Sequence, residues 1–220
     1  MLLPFIWNKG DIKMTVTAHT GALGSVNNSL DSVKICAESG ADIIEIDLNF
    51  TADGTPVLSH NKPKGGEKLF EDALKVFKPY ENVRMNIDVK STSHLYKVQE
   101  LVKKYGLLDR VFFTGVYESW TAEVKKQCPE IPYYLNLLGF QKFFCKRKHF
   151  EKTAARIKKC GAIGLNANRD FISKEMTDYL HGEGLLVSGW TAKTKEHIIS
   201  LKAKGVDNIT TLRPDLFMEI

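Results

Sequence analysis

Asp42-Ile-Ile-Glu45-Ile-Asp47-Leu-Asn-Phe-Thr-Ala-Asp53-Gly54-Thr-Pro-Val-Leu-Ser-His60 is the stretch on which the reading of this chain turns. An apolar run carries two carboxylates two residues apart; an Asp-Gly turn, a second short apolar run and a histidine follow. Successive side chains of a strand point to opposite faces, so Glu45 and Asp47 share one face while Ile44, Ile46 and Leu48 take the other. Such a strand either leaves its acids in water at a sheet edge or buries them against something that compensates their charge. Carboxylates are rarely buried without partners, and a divalent metal is the usual compensation for two of them side by side.

Two further segments converge on the same chemistry. Arg84-Met-Asn86-Ile87-Asp88-Val89-Lys90 alternates in the same way and places Asn86, Asp88 and Lys90 on one face. Val16-Thr17-Ala18-His19-Thr20-Gly21 is a short strand that ends in His-x-Gly. Three strand ends thus offer His19, Glu45, Asp47, Asp88 and Lys90, with His60 just beyond. A donor set this rich in oxygen suits Mg²⁺, Ca²⁺ or Mn²⁺ better than zinc or copper.

Working outward, the whole chain alternates short apolar segments with amphipathic ones. Strands are predicted near 14–18, 43–48, 84–89, 111–114, 133–137, 162–165, 185–190 and 208–211, with a small extra strand near 57–59. Helices are predicted near 29–38, 67–77, 95–105, 119–127, 148–159, 174–183 and 195–204, the later ones ending beside a glycine. Eight strands alternating with helices point to an α/β protein, a (β/α)8 TIM barrel in a single domain over residues 1–220. An open, doubly wound sheet is the alternative. It would want a glycine-rich phosphate loop after the first strand, and Gly21-Ala-Leu-Gly24 is not GxGxxG. Barrel enzymes work at the carboxyl ends of their strands, where His19, Glu45, Asp47, Asp88 and Lys90 fall.

Composition fits an ordinary globular domain: 220 residues, 43% hydrophobic, 26% charged, net charge +5. The basic run from Lys142 to His149 reads as a solvated helix face, since it lacks the length and stacking aromatics of a nucleic-acid or lipid site. Cys36, Cys128, Cys145 and Cys160 show neither CxxC nor zinc-like spacing and read as small buried side chains in a reducing, cytoplasmic setting. The opening Met-Leu-Leu-Pro-Phe-Ile-Trp does not read as a signal peptide and is expected to cap the barrel or pack on its side. No apolar run is long enough for a membrane span. The expected partner is a small molecule, not nucleic acid; oligomeric state is not readable.

Beyond the residue chemistry, several motifs resemble those of the glycerophosphodiester phosphodiesterase family. His19-x-Gly21, Asn28-Ser29, Gly40-Ala-Asp-x-x-Glu45-x-Asp47, Thr51-x-Asp53-Gly54-x-Pro-Val and His60 look like its N-terminal signature. Asn86-Ile-Asp88-Val-Lys90 is similar to its third-carboxylate strand, and Gly189-Trp190-Thr191 and the segment 205–214 to its last two barrel strands. The resemblance implies one divalent cation, Mg²⁺ or Ca²⁺ with Mn²⁺ a further choice, held by Glu45, Asp47 and Asp88. It implies His19 and His60 as general acid and base on either side of a phosphodiester phosphorus, with Lys90 beside the phosphate. Asn28 and Trp190 are implied substrate contacts, and Asn136 and Asn166 sit at later strand ends where they would line the pocket. The expected reaction is hydrolysis of glycerophosphodiesters to glycerol 3-phosphate and an alcohol, by water or through a cyclic phosphate.

The chain departs from the family pattern at defined points. Thr20 stands where the family has arginine, Asn27-Asn28-Ser29 where it has Glu-Asn-Thr, Asn61 after His60 where it has aspartate, and Asp88 where it has glutamate. A threonine cannot replace a bidentate arginine–phosphate contact. Only the short stretch 61–66 separates His60 from the next helix, so the family's lid insertion is nearly absent and an open pocket is expected, with Phe140, Phe143 and Phe144 as a candidate apolar wall. Two other functions stay open: a lyase-like phosphodiesterase of the phospholipase D toxin type, and a catalytically weak barrel that binds metal or phosphodiesters.

Overall fold

Eight parallel strands close on themselves in the structure, a computed structural model that describes residues 14–136 and 149–220. In chain order they are β1 (Thr15–Ala18), β2 (Ile43–Phe50), β4 (Arg84–Val89), β5 (Val111–Tyr117), β6 (Tyr133–Asn136), β7 (Gly164–Asn168), β8 (Leu186–Ala192) and β9 (Asn208–Thr211). Parallel pairing of β1 with both β9 and β2 shuts the barrel. A ninth, short strand, β3 (Pro56–Leu58), folds back antiparallel on the end of β2. The predicted TIM barrel is thus the observed one, and the open sheet is excluded. The expectations for the first residues, for Phe140, Phe143, Phe144 and Cys145, and for most of the basic run lie outside the described residues.

Around the barrel run α1 (Leu30–Glu38), α2 (Phe70–Phe77), α3 (Leu95–Tyr105), α4 (Thr121–Gln127), α5 (Phe150–Cys160), α6 (Lys174–Gly182) and α7 (Lys195–Ala203). A short α8 (Pro214–Met218), not anticipated from the sequence, follows β9 with proline in its first turn. Local chemistry starts these helices where the sequence offers a hydroxyl. Ser29, Ser173 and Thr194 each accept a hydrogen bond from the backbone N–H three residues on, satisfying a donor that the first turn leaves unpaired. Helix α2 begins at Phe70 instead of 67 because the Glu67 carboxylate is engaged outside the helix, accepting from the backbone N–H groups of Lys64 and Gly65.

Strand alternation divides the side chains into two sets. Ile44, Ile46 and Leu48 are fully or almost fully buried in the layer between β2 and the helices, with Val33 and Cys36 of α1 and Phe70, Leu74 and Phe77 of α2. The opposite faces fill the barrel interior. Its lower part is an apolar plug of Ile43, Phe112 and Tyr134 with Ile163 and Leu186 against them. Above the plug the interior turns polar: Thr17, Asn86, Thr114, Asn136, Asn166, Ser188 and Asn208 are all buried. Buried polar groups need partners, and here they find each other. Thr17 Oγ1 donates to Asn208 Oδ1 at 2.9 Å, Asn208 Nδ2 to Ser188 Oγ at 3.0 Å, and Asn166 Nδ2 to Asn136 Oδ1 at 3.2 Å.

Strand β5 departs most from simple alternation. Three steps from Phe113 to Val116 on β5 match two steps from Tyr133 to Leu135 on β6, so β5 holds one extra residue at a bulge. Gly115 makes the bulge possible: its φ is +71°, and a Cβ there would sit 2.5 Å from Asp88 Oδ1 and from the Val89 carbonyl oxygen. Phe113 and Val116 therefore both pack in the core, whereas Thr114 and Tyr117 both face the cavity at the barrel mouth.

Candidate active site

A cavity of about 640 Å³ opens at the carboxyl ends of the strands. His19, Glu45, Asp47, His60, Asp88 and Lys90 all line it, and so do Trp190, Asn136 and Asn166. Of the candidate catalytic, metal and substrate residues among those described, Asn28 is not part of the lining. It stands behind Asp47 in the loop between β1 and α1, at φ 57°, where its amide Nδ2 donates to Asp47 Oδ2 at 2.8 Å and its Oδ1 accepts from the Asp47 backbone N–H at 3.1 Å.

The carboxylates form one group. Single oxygens of Glu45, Asp47 and Asp88 lie within 4.8 Å of one another, the only such acidic cluster among the described residues. Strand register explains the spacing: Asp47 on β2 is paired directly with Asp88 on the neighbouring β4, and Glu45 is one period below on the same face. Glu45 and Asp47 are buried at 5% and 3% exposure. Lys90 spans the pair, with Nζ 2.9 Å from Asp47 Oδ1 and 2.5 Å from Asp88 Oδ2.

Charge is unevenly compensated within this group. Burial pushes Glu45 up to about 7; the nearby His19 opposes the rise, and the charges of Asp47 and Asp88 add to it. Burial also works against ionisation of Asp47, yet the Lys90 ammonium, the Asn28 amide and His60 outweigh it and hold that carboxyl below its usual range. Lys90 is raised, because the attraction of Asp88 and Asp47 overcomes its desolvation. One ammonium therefore neutralises the Asp47 and Asp88 side of the group and leaves Glu45 short of positive charge. The residues fit a divalent cation: hard oxygen donors, close enough to share one ion, with less positive charge around them than they need.

Each histidine stands beside a different carboxylate of this group. His19 Nδ1 lies 2.6 Å from the Thr20 carbonyl oxygen and 3.8 Å from Glu45 Oε2. A carbonyl can only accept, so Nδ1 carries the proton and Nε2 keeps a free lone pair. His60, whose side chain is 65% exposed, has Nδ1 3.2 Å from Asp47 Oδ1, and the same logic leaves its Nε2 free. Asp47 thus orients His60, and Asn61 lines the cavity beside it. Thr20 faces away from the cavity. Its backbone N–H donates to Glu45 Oε2 at 2.9 Å and its Oγ1 accepts from the Asn28 N–H at 2.7 Å.

Other contributors join these; apart from Asn86, which shares the predicted face of Asp88 and Lys90, the sequence did not single them out. Asn49 and Asn86 add amides to the lining, Lys62 adds a cation from the short link after His60, and Tyr117 and Trp120 add aromatic surface beyond β5. The alternation of β2 and β4 carried the signal for Asn49 and Asn86; nothing comparable marked Tyr117, because the bulge at Gly115 breaks the period that would have revealed it. Trp190 lines the cavity with its ring, and its Nε1 is shielded from solvent with no hydrogen-bond partner among the described residues.

Fold and site together define a TIM barrel with an acidic, histidine-flanked centre at its carboxyl end. Residues 19–63 match the model of the glycerophosphoryl diester phosphodiesterase family. A glycerophosphodiester phosphodiesterase of Caldanaerobacter subterraneus subsp. tengcongensis is 25% identical over 247 residues, covering 95% of this chain and 98% of the relative. Another, from Bacillus altitudinis, is 22% identical over 244 residues, covering 93% and 97%. Among solved structures, a putative glycerophosphoryl diester phosphodiesterase from Silicibacter pomeroyi superposes with a TM-score of 0.77 at 18% identity, covering 94% of this chain and 92% of its own. An Oleispira antarctica phosphodiesterase in complex with the product sn-glycerol-3-phosphate gives a TM-score of 0.77 at 18% identity, covering 93% and 95%. These findings support assignment of the chain to the glycerophosphoryl diester phosphodiesterase family, with the structural neighbours speaking for its fold.

Proposed function

We propose that the protein is a metal-dependent glycerophosphodiester phosphodiesterase that releases glycerol 3-phosphate and an alcohol. The observation that carries this reading is the convergence, in one cavity, of three clustered carboxylates with two histidines whose Nε2 atoms have no partner among the described residues. Both curated relatives bear the name of this activity, and the Oleispira enzyme was solved with its product.

Glu45, Asp47 and Asp88 would hold the cation, with Mg²⁺, Ca²⁺ and Mn²⁺ as candidates. When bound, it supplies Lewis-acid stabilisation of the charge that grows on the phosphate oxygens. The side chains do the rest. Lys90, fixed between Asp47 and Asp88, presents a positive charge to a bound phosphodiester. Trp190 adds aromatic surface against the substrate. His19, with its proton held on Nδ1 by the Thr20 carbonyl, can accept a proton at Nε2 from the attacking hydroxyl or water. His60, oriented by Asp47, takes the complementary role: entering the step as the imidazolium, with Nδ1–H held by Asp47, it gives its Nε2 proton to the departing alkoxide and is left neutral. No arginine lines the cavity among the described residues, so phosphate binding rests on the cation, Lys90 and Lys62.

The experiment is release of glycerol 3-phosphate from glycerophosphocholine and glycerophosphoethanolamine, with EDTA and then with Mg²⁺, Ca²⁺ or Mn²⁺ restored. Turnover abolished by chelation and recovered with one metal is expected. His19→Ala should cost about 10²- to 10⁴-fold in kcat while metal affinity by calorimetry stays put. Absence of turnover with every metal, from folded protein, would leave the barrel a binder.

A further inference from the structure

We propose that Tyr117 and Trp120 form the subsite for the alcohol portion of the substrate and that this subsite selects a quaternary ammonium group; the inference rests on the phosphodiesterase reading above. The two rings stand at the cavity wall with centroids 5.1 Å apart and planes inclined at 77°. Rings in this edge-to-face contact form a corner of aromatic surface at the wall, and an aromatic face turned into a cavity attracts a cation too methylated to donate hydrogen bonds.

Three features show that the pair is built for the cavity and left open. First, Tyr117 reaches the cavity only through the bulge at Gly115, since regular alternation from Thr114 would have turned it toward the helices. Second, three aromatic faces elsewhere are capped by the protein's own cations: Arg110 lies 4.3 Å from the Phe77 ring centroid, Lys202 4.3 Å from that of Phe217, and Lys104 5.5 Å from that of Tyr105. No cation of the described residues sits over Tyr117 or Trp120. Third, the carboxylate between them, Glu118, is held by Arg156 at 2.9 Å and 2.5 Å from its Nε and Nη2. The ion pair offsets the charge of Glu118 and so weakens its pull on a primary ammonium, which wants strong acceptors; a trimethylammonium group needs none.

Position agrees with chemistry. Thr114 Oγ1 lies 2.9 Å from Asp88 Oδ1, and Tyr117 is three residues further up the same strand, roughly 10 Å of rise at most. A phosphodiester held at the carboxylates and Lys90 would direct one of its ester arms along β5 toward the aromatic pair.

The test compares kcat/KM for glycerophosphocholine with that for the 3,3-dimethylbutyl ester of glycerol phosphate, which has the same shape without the charge. The folded enzyme should prefer the charged ester by about tenfold. Trp120→Ala should bring the ratio close to one, and Trp120→Phe, which keeps a ring and guards against a folding failure, should retain most of it. A ratio near one in the unaltered protein, or an unchanged ratio in a folded Trp120→Ala, overturns the proposal. If no glycerophosphodiester is turned over, the hydrolase reading fails on its own, and tetramethylammonium decides the subsite. Saturable quenching of tryptophan emission, absent with neopentyl alcohol and absent in Trp120→Phe, supports it; no quenching sinks it.

Discussion

Asp47 is the residue on which the centre depends most. One carboxylate meets Lys90, the Asn28 amide and His60, and belongs as well to the candidate metal group. Asn28 is the partner that turns away from the cavity, so its influence on catalysis must pass through Asp47. Removing its amide frees both the Asp47 oxygen and the Asp47 backbone N–H that it holds. Asn28→Ala is therefore expected to weaken metal binding about 10- to 100-fold, measured by calorimetry without substrate. Unchanged affinity with a raised KM would instead make Asn28 a direct substrate contact, as the family resemblance implied. At this scale the sequence was informative about which residues matter and less so about what each touches. Glu45, Asp47, Asp88 and Lys90 stood out through period-two alternation, a property of any strand. The contact between His60 and Asp47 was hidden, because 13 positions separate them and only the fold-back of β3 onto β2 brings them together. That contact also bears on Asn61: the orienting carboxylate comes from position 47, so the missing aspartate at 61 leaves His60 with a partner.

At the scale of the element, β5 shows how a local irregularity shapes the site. Its strand was predicted to end near 114, where the alternation stops, yet it runs on to Tyr117 past the bulge. No periodic reading of Val111-Phe-Phe-Thr-Gly-Val-Tyr117 distinguishes a glycine that ends a strand from one that bulges it. The physical requirement is visible only in three dimensions, where Asp88 and the backbone of β4 crowd the place a Cβ would occupy. Gly115→Ala must either shift β5 or push Asp88 aside, and it must also hold a left-handed φ that costs an L residue about 1–2 kcal/mol. We expect a loss of about 2 kcal/mol or more in urea denaturation, together with weaker metal binding because Asp88 moves. A substitution that leaves both unchanged would mean the bulge relaxes freely. By contrast β4, α3 and β9 were legible to the residue, since each is a plain strand or helix bounded by clear breaks.

For the molecule as a whole, proton and metal compete for the same buried group, and the sign of that competition can be worked out. The Glu45 carboxyl sits at about 7 in the metal-free fold against an ordinary value of 4.5. A raised carboxyl favours its neutral form, so this group's contribution to metal-free stability is fully present below about pH 4.5 and is lost as pH rises through about 7. A cation binds the carboxylate, so it acts in the opposite direction: below about pH 7 each unit of acid should weaken its affinity about tenfold. At pH 8, metal at about 100 times its Kd stabilises the fold by about 2.7 kcal/mol. For a chain of this length that is a rise in Tm of about 5–10 °C. The same metal concentration at pH 5 is close to the weakened Kd and yields about 0.4 kcal/mol, a rise of about 1 °C. Thermal melts of chelated and metal-loaded protein at the two pH values measure this directly. Because the readout is stability, it separates the metal site from the chemistry: a pH-dependent shift with no turnover leaves a cation-binding barrel, whereas an equal shift at both pH values removes Glu45 from the ligand set.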